Sequence, residues 1–171
     1  NNETLGTSGV TGSGSASTTA TALTGAGTAT ITAGAGSLVA ANYDFTNLVN
    51  GTLTINKANA TVTASSRSVT YTGLAQSVSG FTAAGLVNGE TAAVLSGVSA
   101  GVTGTNAGSY ASVASGTDGN YNLTFVNGAL TINKASATVT ASSGSTTYNG
   151  LAQSVSGFTV TGLVNNETSA V

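Results

Sequence analysis

The chain has 171 residues, lacks Cys, His, Trp, Met and Pro, and only 5% of it is charged. Its charges are Glu3, Asp44, Lys57, Arg67, Glu90, Asp118, Lys134 and Glu167, where an ordinary soluble domain has about a quarter of its residues charged. Three scattered basic residues cannot neutralise a run of phosphates, and without His or Cys the usual nucleophile–base pairs and zinc sites are missing.

Ser, Thr, Asn or Gly interrupts every apolar stretch before it reaches the roughly 20 residues of a membrane-spanning helix. No basic segment followed by an apolar one opens the chain, so no signal peptide is expected in it. A hydrophobic share of 40% argues against disorder. A Cys-free chain is compatible with an oxidising exterior, and the composition leans extracellular.

In chain order, residues 8–36 form a loose Gly/Ser/Thr/Ala stretch, after which Asn42-Tyr43 begins a pattern that ends in Thr54-Ile55-Asn56-Lys57-Ala58. That word returns as Thr131-Ile132-Asn133-Lys134-Ala135, a shift of 77 residues. The same shift carries Tyr71 onto Tyr148 and Glu90 onto Glu167, and residues 73–81 match 150–158 without a change. Asn1-Asn2-Glu3-Thr4 likewise reappears as Asn165-Asn166-Glu167-Thr168. Tandem duplication accounts for such identity. The expected organisation is the C-terminal part of a preceding repeat at 1–57, one complete repeat at 58–134, and the N-terminal part of a following repeat at 135–171.

Within the complete repeat, no apolar residues recur at helical spacing and Gly is frequent, so no helix is expected. Short β-branched alternating runs predict strands at 61–64 and 68–71. Further strands are expected around 77–81, 93–98 and 109–113. Tyr121, Leu123 and Phe125 alternate with polar residues, as do Leu130 and Ile132. Between them, Asn127-Gly128 predicts a type I′ hairpin turn. The expected core is Val69, Tyr71, Val78, Phe81, Leu86, Tyr110, Tyr121, Leu123, Phe125, Leu130 and Ile132. The fold class is all-β, as tandem small β-sandwich or β-grasp-like modules in a rod or fibre. A parallel β-helix is the alternative, disfavoured because its coils repeat every 20–30 residues or so.

The words of the repeat carry a family resemblance. Residues 120–135 read Asn-Tyr-x-(hydrophobic)-Thr-Phe-Val-Asn-Gly-x-Leu-Thr-Ile-Asn-Lys-Ala, which resembles the closing segment of MBG/YDG-type repeats in filamentous-haemagglutinin-like bacterial surface adhesins. Gly85-Leu86-Val87-Asn88-Gly89-Glu90-Thr91 and Asn106-Ala107-Gly108-Ser109-Tyr110 fit the same pattern. The likeness is good over 42–171 and weak over 1–41. In two places the chain departs from it: Tyr71-Thr72-Gly73 and Tyr148-Asn149-Gly150 stand where the family has Tyr-Asp-Gly, and a Pro often found after the Asn-Ala-Gly-Thr-Tyr strand is missing. The resemblance implies spacer or stalk modules of secreted adhesins and biofilm-matrix proteins, with no known catalysis.

No catalytic residue, cofactor site or metal site is expected. Asp118-Gly119-Asn120 has the flavour of a calcium loop, yet one carboxylate is thin for an ion that takes six to eight oxygens, and a turn is the simpler reading. Lys57, Glu90, Lys134 and Glu167 recur in fixed words and are candidates for an intramolecular isopeptide crosslink. The simpler reading puts Lys in the linker and Glu in a solvated turn.

The expected function is an extracellular stalk or fibre segment at the bacterial surface. Its partners would be neighbouring copies of the repeat or chain, with polysaccharide or a host surface as weak multivalent ligands, no nucleic acid and no membrane insertion. Two alternatives stand beside it. One is a glycan- or protein-binding module; the other is a subunit that polymerises by strand exchange between complementary half-repeats.

Overall fold

The computed structural model describes Thr4 and residues 6–169; the first Asn-Asn-Glu word lies outside the described residues. Two compact units are present, residues 1–59 with 118–122, and residues 60–117 with 123–171. Apart from one turn of 3₁₀ helix at Ala92–Val94, all regular structure among the described residues is β.

The first unit holds a three-stranded antiparallel meander, β1 (Ser15–Thr18), β2 (Gly27–Gly34) and β3 (Gly51–Ile55), in the order β1-β2-β3. Two of its strands lie in the stretch that reads as loose, because Thr-Ala-Thr-Ile-Thr-Ala alternates even though its apolar members are small. Ala29, Ile31 and Ala33 on β2 and Leu53 and Ile55 on β3 are half-buried on one face.

The complete repeat carries eight strands: β4 (Ala58–Ala64), β5 (Arg67–Thr70), β6 (Gln76–Ser79), β7 (Phe81–Ala84), β8 (Val98–Gly104), β9 (Gly108–Gly116), β10 (Tyr121–Val126) and β11 (Gly128–Asn133). They form a three-stranded sheet, β10-β4-β7, and a five-stranded sheet, β5-β11-β9-β8-β6. The sheet pairings with a given direction are antiparallel except β11 with β5, which is not the ladder of a parallel β-helix. Three chain crossings between the two sheets take only one or two residues, Ser65-Ser66 after β4, Gly80 after β6 and Asn127 after β10, while β7 reaches β8 through residues 85–97. Such corners let a strand run from one sheet into the other of a small sandwich.

The period-2 pattern places the core. Ala60, Val62 and Ala64 on β4 are buried, and so are Val78, Val98, Ala114, Tyr121, Leu130 and Ile132. On the five-stranded sheet Val78, Leu130 and Ile132 cluster, with Val69, Tyr71, Val102 and Tyr110 packed against them. The outer strands β5 and β6 are bridged by side chains: Arg67 Nη1 donates to the Ser77 carbonyl at 2.9 Å, and Gln76 Nε2 to the Thr70 carbonyl at 3.0 Å.

Three expectations are corrected. Asn127-Gly128 is not a hairpin turn, since β10 and β11 belong to different sheets; Gly128 sits where a Cβ would overlap the carbonyl oxygens of Ala64 and Ser65. The strand expected at 93–98 is instead the 3₁₀ turn followed by the buried Leu95, and pairing begins only at Val98. The run 77–81 is broken at Gly80, whose φ of 91° turns the chain between sheets. Of the expected core, Val78, Tyr121, Leu130 and Ile132 are fully buried, and the remaining members are half-buried.

After the complete repeat, β12 (Thr138–Ala141) pairs with β13 (Phe158–Thr161). Its register, Thr138↔Thr161 to Ala141↔Phe158, is that of β4 with β7, Thr61↔Ala84 to Ala64↔Phe81, moved by one repeat.

Candidate functional site

A cleft of about 300 Å³ lies where the complete repeat meets the residues that follow it, lined among others by Tyr71, Asn106, Lys134, Leu163, Val164 and Glu167. Its near wall is set by the end of the five-stranded sheet. Tyr71 follows β5 directly, and its backbone N–H donates to the carbonyl of Asn133 at 2.8 Å. The Asn133 side chain returns to β5, donating to Ser68 Oγ at 3.0 Å and to the Val69 carbonyl at 3.2 Å. The ring of Tyr71 packs against the Val78–Leu130–Ile132 cluster. An amphipathic side chain so placed keeps its apolar body in the core and its hydroxyl outside.

The far wall is a tight turn. Asn165 and Asn166 both take left-handed backbone, φ 52° and 60°, and the Glu167 N–H donates to the Val164 carbonyl at 3.0 Å. Asn tolerates this region better than other non-glycine residues. The complete repeat has the same turn at Asn88-Gly89, φ 52° and 71°, closed by the Glu90 N–H on the Val87 carbonyl at 3.0 Å.

The two walls are clasped. The Tyr71 hydroxyl donates to Glu167 Oε1 in a short hydrogen bond, and Asn165 Nδ2 donates to the Gly73 carbonyl at 3.1 Å. Gly73 has φ 74°, and a Cβ there would overlap the side chain of Asn165. The Tyr-x-Gly word of one repeat is thus the seat for the Asn-x-Glu turn of the next. Glu167 raises the Tyr71 pKa above its ordinary value, first through the hydrogen bond that holds the phenol proton, then with burial and the negative charge beside it.

Of the residues singled out in the sequence, Lys134 and Glu167 line this one cleft together with Asn106. Lys57 lies elsewhere, its Nζ donating to the Asp118 carbonyl at 2.7 Å. Glu90 follows the Asn88-Gly89 turn. Asp118 acts as a turn residue: its Oδ1 accepts from the N–H groups of Asn120 at 2.7 Å and Tyr121 at 3.1 Å. Sequence reasoning missed Gly73 and Asn165. Both stand in words that recur every 77 residues, which was the available signal. That the two words meet across a boundary, 96 residues apart for Tyr71 and Glu167, only the fold shows.

In chemical terms the site holds one segment against another by two hydrogen bonds and a filled glycine seat. Its near wall belongs to the complete repeat, β4 to β11.

Residues 60–131 match the MBG domain of the YGX type.

The match begins inside β4 and ends inside β11, so it covers the body of the complete repeat. The chain has no match among curated proteins or solved structures. The likeness to MBG-type repeats therefore holds for the unit that supplies Tyr71 and Gly73, while Asn165 and Glu167 lie beyond the matched MBG residues.

Proposed function

We propose that this chain is a non-catalytic spacer segment of a large bacterial surface or matrix protein, in which MBG-type repeats are docked end to end. The observation that carries this reading is the clasp between Tyr71-Thr72-Gly73 and Asn165-Asn166-Glu167. Both words recur at the repeat period, so every repeat brings a seat for its successor and a turn for its predecessor. A contact repeated at every boundary fixes the spacing of successive repeats. The low charge and abundant hydroxyls suit an extracellular setting and weak multivalent contact with polysaccharide. No helix among the described residues is long and apolar enough to cross a membrane.

A glycan-binding module is the second reading, favoured by the cleft itself, which joins an aromatic ring to Asn106, Lys134 and Glu167. It ranks lower because the Tyr71 hydroxyl and the Glu167 carboxylate already bond each other. A glycan array with the intact chain separates the two. The spacer reading predicts no selective glycan; a single sugar bound selectively and lost in Glu167→Ala would overturn it. The crosslink reading, in which Lys134 Nζ forms an amide with Asn106 Cγ as Asn106 Nδ2 leaves as ammonia beside Glu167, predicts an intact mass lower by one ammonia.

A further inference from the structure

The turn between β9 and β10, Asp118-Gly119-Asn120, belongs with residues 1–59 in one compact unit. Asp118 Oδ1 shapes it from within by accepting the N–H groups of Asn120 and Tyr121. Residues that precede the complete repeat bind it from outside. Lys57 Nζ donates to the Asp118 carbonyl at 2.7 Å, and the Ala26 N–H donates to Asn120 Oδ1 at 2.9 Å. Ala26 lies in the β1–β2 connection, 94 residues before Asn120.

Strand register shows what this connection answers to in the complete repeat. Gly27 pairs with Ile55 as Gly108 pairs with Ile132, and the two isoleucines lie one 77-residue period apart. Gly25-Ala26-Gly27-Thr28 therefore stands where the complete repeat has Asn106-Ala107-Gly108-Ser109, and Lys57 where it has Lys134. The lysine and the Ala-Gly pair are common to both, and the residue before that pair is not. A Cβ on Gly25 would lie 2.5 Å from Asn120 Oδ1 and 3.4 Å from its Cγ. Gly25 is outside the left-handed region, so room rather than conformation calls for glycine here. Moving the Asn120 amide aside would give up its bond to Ala26. The complete repeat leaves no such room. Asn106 carries a side chain, and its carbonyl accepts the Tyr110 hydroxyl at 2.9 Å, where the earlier loop has Ala29.

We propose that Gly25 and Asn120 are a matched pair that selects which repeat can stand next to which. Lys57 is the common anchor, since the lysine recurs at the repeat period. A loop with glycine at this position accepts a neighbour whose turn carries asparagine. A loop with asparagine there refuses that neighbour by collision. Specificity is set by an added clash as well as by an added contact. This selection rests on the end-to-end docking proposed above and adds an order to it, because repeats are then not interchangeable.

The test is hydrogen exchange of backbone amides in full-length chains. Ala26 should exchange on the order of tenfold faster in Asn120→Ala, which removes the acceptor, and in Gly25→Asn, which installs the residue of the complete repeat. Gly25→Asn combined with Asn120→Ala should exchange no faster than Asn120→Ala alone, since no amide is left to collide with. The amides of β11, an inner strand of the five-stranded sheet, should stay protected throughout and show that the complete repeat is folded. An Ala26 rate in either single variant equal to that of the wild type would overturn the pairing. So would a further gain of similar size in the double variant, which would mean that asparagine disturbs the loop by itself. The Tyr71–Glu167 clasp is read separately by its phenol titration, so failure of this pairing and failure of the docked-repeat reading give different results.

Discussion

At the scale of single residues, two side chains make opposite demands. Ser112 points into the core from β9, and its Oγ is buried with no hydrogen-bond partner. A buried hydroxyl without a partner costs about 1–3 kcal/mol, so Ser112→Ala should stabilise the chain by about 1 kcal/mol in urea unfolding. A loss of stability would show that the hydroxyl is bonded in solution. Tyr71 is the reverse case, a hydroxyl whose single bond joins two repeats. Its raised pKa means that the clasp contributes in full below the ordinary tyrosine value of about 10, and that this contribution is lost as pH rises through the raised value. The alkaline ultraviolet difference between wild type and Tyr71→Phe should report a phenol titrating above the ordinary range, and Glu167→Ala should bring it back. Gly73→Ala should open the clasp without altering Tyr71 or Glu167, by straining a left-handed position at about 1 kcal/mol and displacing Asn165. Thermolysin cleavage at Leu163 or Val164 that is no faster in Gly73→Ala would count against that seat.

At the scale of elements, the repeat supplies its own control. Val62 and Val139 occupy one sequence position in successive copies, yet only Val62 is covered. Val62→Ala should therefore destabilise by about 2 kcal/mol through lost burial and the cavity left behind. Val139→Ala should be close to neutral in dilute solution, measured by the same unfolding transition. Equal losses would mean that both positions are covered there. The same contrast explains what the sequence reveals. Alternation of apolar residues with Thr, Ser or Asn exposed β4, β5, β9, β10 and β11 to direct reading. The strand β8, Val-Ser-Ala-Gly-Val-Thr-Gly, was hidden because small residues satisfy pairing without a strong apolar pattern. Asn127-Gly128 misled because a glycine serves a hairpin turn and a close approach of backbones equally well, and sequence does not say which. For the clasp, the recurring words were legible and their meeting was not, since a 77-residue period fixes phase and leaves spatial neighbours open.

At the scale of the whole molecule, the account is one of a contact repeated with the period of the sequence. If each MBG-type repeat seats the next through Tyr-x-Gly and Asn-x-Glu, copy number sets length, and a surface protein can extend its reach by duplication alone. The direct measurement is small-angle X-ray scattering on arrays of increasing copy number, each with the clasp residues intact. The account predicts a maximum dimension that grows in proportion to the number of repeats, and a shallower increase in arrays where every Tyr-x-Gly glycine is replaced by alanine. A dimension growing only as the cube root of copy number, as in a compact globule, would contradict it.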